Sequence, residues 1–247
     1  YYPIDNASQL QYSRNIIKGL LLDGKTLWCG TNKGAIYQFD TGAKRYQLYY
    51  QFPKDMSLYS LMVDKGGLWV VSSDPKTGLM FLSSQKKLKD TFLCNGGKDS
   101  CQIGSVRCIM KLQDDILLVG TRNDGLIKYD INKKEMIYYD TDSKKPFKLL
   151  SNYVTSIVRD TSGRIWVGTF GGGISLYDEK EGIVKTITQE QGLIDNDVCA
   201  IVEDRDHKLW ISVSNGISEF DPKTDTFVNY NSLNGIGVYE FTPHSGT

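Results

Sequence analysis

The chain has 247 residues, enough to bury a sizeable core. Its 29 Lys and Arg balance 29 Asp and Glu, so the formal net charge is zero; nucleic acid and anionic membrane surfaces, which call for a basic excess, are excluded as partners of this region. No stretch approaches the roughly 18 apolar residues of a transmembrane helix, and no window carries a sustained apolar period of 3.6, which leaves an all-β chain.

In chain order, one apolar strand followed by a glycine-containing corner and a second strand recurs five times: LWCGTNKGAIYQFD (Leu27–Asp40), LWVVSSDPKTGLMFLS (Leu68–Ser83), LLVGTRNDGLIKYD (Leu117–Asp130), GRIWVGTFGGGISLYD (Gly163–Asp178) and LWISVSNGISEFD (Leu209–Asp221). The aligned positions are Trp28, Trp69, Leu118, Trp166 and Trp210, a period of about 40 to 50 residues, which marks a repeat architecture. An apolar strand precedes each copy: IKGLLLD (Ile17–Asp23), LYSLMVD (Leu58–Asp64), VRCIMKL (Val106–Leu112), VTSIVRD (Val154–Asp160) and VCAIVED (Val198–Asp204). Short aromatic-tipped strands follow at Lys44–Tyr50, Glu135–Asp140 and Asp225–Asn231. Four short strands per unit at this period predict the blades of a β-propeller.

The expected domain is therefore a single propeller over 1-247, with blades at 16-52, 57-93, 105-140, 153-188 and 197-231 and half-blades at 1-5 and 236-247. A propeller closes its ring to protect its edges, so half-blades at both ends predict a larger ring cut on either side. A closed five-bladed ring whose ends complete one another is the alternative.

Of the five cysteines, Cys29, Cys108 and Cys199 lie in strands and read as small buried hydrophobes. Cys94 and Cys101 bracket the polar loop CNGGKDSC. A disulfide, a metal pair and chance spacing are the alternatives there. A metal would want further Cys or His, and the only histidines are His207 and His244, so a disulfide in an oxidising compartment is the expectation. No metal or other cofactor is expected.

Catalytic sets are not expected either. Gly171-Gly172-Gly173 precedes a strand rather than a helix and reads as a tight corner, not a phosphate cradle. Asp160, Asp178, Asp204 and Asp221 recur at equivalent turns, as capping residues do and a catalytic carboxylate does not. His207 stands where Gly163 stands one blade earlier and reads as a turn residue, and the tryptophans read as core. Lys86-Lys87 and Lys144-Lys145 read as solvated loop charge.

Departures from the repeat are the binding candidates, because in a propeller the loop leading into the innermost strand and the corner after the Trp strand share one face. On the lead-in side they are Arg14, Tyr59, Arg107, Tyr153, Asn196 and Tyr239; from the corners come Asn32, Lys33, Arg122, Asn123, Asp124, Phe170 and Asn215. Tyr59, Arg107, Arg122, Asn123, Asp124, Tyr153, Phe170, Asn196 and Asn215 form the expected ligand-binding set. Arg, Asn and Asp beside flat aromatics suit a sugar or another polar oligomer, by hydrogen bonds to hydroxyls and stacking on apolar ring faces.

Gly192–Tyr230 and Leu149–Ile187 closely resemble the two-component regulator propeller repeat, with its Val-x-x-Ile strand, Asp/Gly turn, Leu-Trp-Ile-Gly-Thr, Phe-Asp-Pro and closing Phe-x-x-Tyr. The resemblance covers nearly the whole chain and is weakest in the second copy. It implies the extracytoplasmic sensor of a hybrid two-component system in glycan-degrading bacteria, built from seven-bladed propellers. It implies further an oligosaccharide ligand, a homodimer formed through the parent sensor, a periplasmic location, and signalling to a membrane-tethered histidine kinase, with membrane contact only through segments absent here. The alternative function is a propeller scaffold for protein–protein interaction, without catalysis.

Overall fold

The computed structural model describes residues 16–72, 74, 78–91, 106–235 and 241. The half-blade expected at 1-5, all but Phe241 of that at 236-247, the pair Cys94 and Cys101, and Arg14 and Tyr239 lie outside the described residues.

Among the described residues twenty strands build five four-stranded antiparallel sheets, each a meander in which consecutive strands pair. The first blade holds β1 (Ile17–Asp23), β2 (Thr26–Thr31), β3 (Ala35–Asp40) and β4 (Arg45–Gln51). The second holds β5 (Leu58–Asp64), β6 (Gly67–Ser72), β7 (Leu79–Ser83) and β8 (Leu88–Thr91). The third holds β9 (Val106–Gln113), β10 (Ile116–Thr121), β11 (Leu126–Asp130) and β12 (Glu135–Tyr139). The fourth holds β13 (Val154–Arg159), β14 (Ile165–Thr169), β15 (Gly173–Asp178) and β16 (Gly182–Ile187), and the fifth β17 (Val198–Glu203), β18 (Leu209–Val213), β19 (Gly216–Asp221) and β20 (Thr226–Tyr230). The fold is all-β, of β-propeller type. The chain divides into two compact units, Tyr1–Ile109 and Met110–Thr247, the division falling inside β9.

The recurrent aspartates cap turns, in two ways. At the outer hairpin, Asp40 accepts from the backbone of Gly42 and Ala43, Asp130 from Asn132 and Lys133, Asp178 from Lys180 and Glu181, and Asp221 from Lys223. These amide bonds come first among the causes that hold the four carboxyls below the usual carboxylate range. The closing residue of this turn is left-handed whatever its type: Lys44, Lys134, Gly182 and Asp225 all have positive φ. At the inner hairpin, Asp64, Asp160 and Asp204 accept the indole N–H of Trp69, Trp166 and Trp210 at 3.1, 3.0 and 2.7 Å. His207 has φ 64° where Gly163 has 84°, which accounts for its place in that turn.

Blades pack Trp face on aliphatic face. In the first unit Trp28 lies in one cluster with Leu58, Leu61, Leu68, Val70, Met80 and Leu82 of the second blade. In the second unit Trp166 meets Ile201, Leu209, Ile211 and Phe220, its ring near-perpendicular to that of Phe220 at 5.6 Å. The approach is close enough to require glycine. A Cβ at Gly30 would stand 2.9 Å from Cβ of Leu58, and one at Gly168 2.7 Å from Cγ1 of Val198. The fifth blade departs from this. Trp210, expected in the core, is only partly buried and stacks on Tyr230 at 5.7 Å, because the face it shares with Glu219 and Lys208 is polar. Cys29, Cys108 and Cys199 are buried.

Candidate ligand-binding site

Each innermost strand whose pairing is resolved carries a bulge after its first residue: between Ile17 and Gly19, Leu58 and Ser60, Val154 and Ser156, and Val198 and Ala200. The extra residues are Lys18, Tyr59, Thr155 and Cys199, and Arg107 holds the same place in the sequence of β9. A bulge re-aims one side chain out of the alternating pattern. In the fourth blade it brings the buried Thr155 hydroxyl within reach of the carbonyls of Gly168 and Val198, at 3.2 and 2.8 Å. In the fifth it brings the Cys199 thiol to the carbonyls of Asp197 and Phe241.

In the first unit the bulge positions produce an aromatic–guanidinium pair. The Arg107 guanidinium lies 4.1 Å over the Tyr59 ring; Tyr59 is half-buried and Arg107 is 6% exposed. A cation held on a ring and withdrawn from water is worth about 2 kcal/mol.

In the second unit the corners and lead-in loops form a row. The Arg122 guanidinium lies 5.7 Å over the Tyr153 ring, and Tyr153 lies 5.7 Å from Phe170 with ring planes tilted by 38°. Backbone fixes the row: Phe170 N–H donates to the Tyr153 carbonyl, and Phe170 bridges Asp197 of the next lead-in loop. The amides of Gly171 and Gly173 both donate to the carbonyl of Asn196. The triple glycine is a steric demand, since a Cβ on Gly172 would sit 2.6 Å from Thr169 Oγ1 and 2.7 Å from Ser151 N, and Gly171 and Gly173 both have positive φ. In the first, third and fourth blades a Thr follows the Gly of the second strand and braces the corner: Thr31 accepts from Ala35 N, Thr121 from Asp124 N, and Thr169 donates to Gly173 O. In the fifth blade Val213 replaces it, and the corner shrinks to the two residues Ser214 and Asn215.

The expected residues divide accordingly. Tyr59 meets Arg107; Tyr153 meets Arg122 and Phe170; Arg122 and Asn123 are exposed and Asp124 partly buried in one corner. Asn196 uses its side-chain oxygen on Gln189 N at 2.9 Å, so it holds its own lead-in loop. Asn215 is exposed at the fifth corner, next to Ser214, whose N–H binds the Asp197 carbonyl. Asn32 binds Ile16 N, and Lys33 pairs with Asp55. Asp197 was not among the expected residues. Burial, and then the charge of Asp195, push its carboxyl above the usual range, against bonds from Ser214 and Gly171. The Asp195-Asn196-Asp197 run is the sequence signal for it. The second cluster thus combines two aromatic rings with a guanidinium, exposed amides and a carboxyl of softened acidity, groups that suit a polyhydroxylated ligand. Among the described residues no group of three or more His, Cys, Asp or Glu is placed to hold a metal ion, and no helix is long and apolar enough to cross a membrane.

Comparison with known proteins bears on the fold and on the repeat. Residues 148–171 and 192–215 match the two component regulator propeller family. Histidine kinase P4 of Formosa agariphila is 24% identical over 304 residues, covering 97% of this chain and 21% of that protein. The extracellular domain of a protein described as a hybrid two component system from B. thetaiotaomicron superposes with a TM-score of 0.71 at 24% identity, over 91% of this chain and 29% of the other. Another from the same organism, described as the extracellular domain of a one component system, gives 0.67 at 19% identity over 88% and 28%. The chain therefore spans less than a third of the length of each.

Proposed function

Since the chain carries two-component regulator propeller repeats, we propose that it is the ligand-sensing part of a hybrid two-component regulator, acting outside the cytoplasm, in the periplasm. Its ligand is an oligosaccharide derived from a glycan. Binding changes the arrangement of a dimer of the parent sensor, and the parent's histidine kinase reads that change. The observation that carries the reading is the row Arg122–Tyr153–Phe170, a cation and two rings built from successive corners and lead-in loops of the second unit. The fold shared with the extracellular domains of bacterial sensors supports the location and the class of task.

The test is a thermal-stability screen of the protein against a panel of plant, algal and host oligosaccharides. A ligand specific to the folded state adds about 2.7 kcal/mol at a hundredfold excess over its dissociation constant. The expected result is a raised midpoint with one glycan class. A folded protein that shifts with none overturns the reading and favours the interaction scaffold.

A further inference from the structure

The first blade carries a polar groove at the end opposite its β2–β3 corner. The groove has a volume of about 290 Å³ and is lined by Thr26, Gln38, Asp40, Arg45 and Gln47, together with Ala43. Strand register explains the lining. Trp28, Gln38 and Gln47 are cross-strand neighbours in one row, and Thr26, Asp40 and Arg45 in the next, so all share the Trp28 face of the blade.

The matching positions of later blades are filled or committed. In the third blade Lys128, in register with Gln38, reaches the Glu179 carbonyl. In the fourth, Leu176 takes the Gln38 position, and Lys185, in the Gln47 position, pairs with Asp225 at 2.7 Å. In the fifth, Glu219 takes the Gln38 position and pairs with Lys208, while Val228 takes that of Gln47. In the first blade, by contrast, the side chains of Thr26, Gln38, Arg45 and Gln47 have no hydrogen-bond or ion-pair partner among the described residues. The adjoining Trp28 is 9% exposed, and its indole nitrogen is buried without a partner, although three other tryptophans each bind an aspartate. Polar side chains left uncommitted within the protein and gathered in a concave place, beside a buried and unpartnered indole N–H, are what a polar ligand engages.

We propose that this groove is a binding site for one neutral sugar ring, separate from the aromatic clusters and independent of what they bind. Each Gln carboxamide offers a donor and an acceptor, which match vicinal hydroxyls, and Arg45 and Thr26 add further donors. Asp40 stands directly across from Arg45 in register, so the lining carries one acid and one base. Its volume, near the lower bound of ligand pockets at about 300 Å³, suits one ring rather than a chain.

The experiment is saturation-transfer NMR on the whole chain, with methyl glucoside, methyl galactoside and methyl mannoside as neutral probes and glucuronate as the charged one. The comparison variants are Gln38→Leu with Gln47→Val, residues that other blades already hold at these positions, and, separately, Tyr153→Ala with Phe170→Ala. Unfolding midpoints verify that each variant is folded. The expected result is transfer to at least one neutral glycoside that weakens about tenfold or more in the first pair and persists in the second. Absence of transfer from every neutral probe, transfer unchanged in the Gln38/Gln47 variant, loss only in the Tyr153/Phe170 variant, or preference for glucuronate would each overturn it.

Discussion

The indole N–H of Trp166 donates to the buried carboxylate of Asp160 across 3.0 Å, and Arg164 closes on the same oxygen at 2.6 Å. One turn thereby fixes the ring that packs on the fifth blade. Burial alone would raise the Asp160 carboxyl; the bonds from Trp166 and Arg164 outweigh it and hold the group below the usual range.

Asp160→Ala is expected to lower unfolding free energy by about 2–3 kcal/mol, the scale for hydrogen bonds to a charged group. Because the folded carboxyl is the stronger acid, its stabilisation is complete above the unfolded value of about 4 and is lost as pH falls through the folded value. Denaturation of wild type should therefore show an acid-side loss of stability that Asp160→Asn reduces. Equal slopes below pH 4 would contradict this role.

The glycine of the Trp strand and that of the inner turn should behave oppositely. Gly168→Ala drives a Cβ to 2.7 Å from Val198 Cγ1 and should cost about 1–3 kcal/mol by overpacking. A Cβ at Gly163 meets nothing within 4 Å, and His207 already tolerates the same backbone, so Gly163→Asn should cost less than Gly168→Ala. Ser212 stands where Gly168 stands, with its hydroxyl buried and unpartnered; Ser212→Ala should be neutral or stabilising by about 1 kcal/mol. Urea unfolding of the three variants decides the order.

How much of this was legible in the sequence follows from what repeats. The Trp, Gly, Thr and turn Asp positions recur in most blades, which meet similar steric and hydrogen-bonding demands, so strands, corners and caps could be read directly. The bulges at Tyr59, Thr155 and Cys199 could not, since the apolar spacing runs through them unbroken. Asp197 was hidden because its burial comes from the corner of another blade, at Phe170 and Gly171. The groove at Gln38 and Gln47 was hidden for a related reason: it exists because partners present in other blades are missing there. Trp210 reads as core in the strand pattern, yet the Lys208–Glu219 pair beside it makes its face polar.

Burial raises the Cys29 thiol to about 11. It should stay unreactive toward a disulfide reagent at pH 8 in the folded protein and react on unfolding. Because the unfolded thiol ionises first, near about 8.5, Cys29 should cost the fold stability as pH climbs from there toward 11. Labelling followed by peptide mass spectrometry, with and without urea, checks the first point; rapid native labelling of Cys29 would refute it.

The most direct test of the sensor account is calorimetric titration of the best oligosaccharide from the screen into wild type and into Arg122→Ala and Tyr153→Ala. The row of guanidinium and rings predicts measurable binding by wild type and roughly tenfold or greater weakening in each variant, the scale of a truncated binding anchor, with unfolding midpoints unchanged within a few degrees. Wild-type affinity retained in both variants would show that the ligand is read elsewhere and contradict the account.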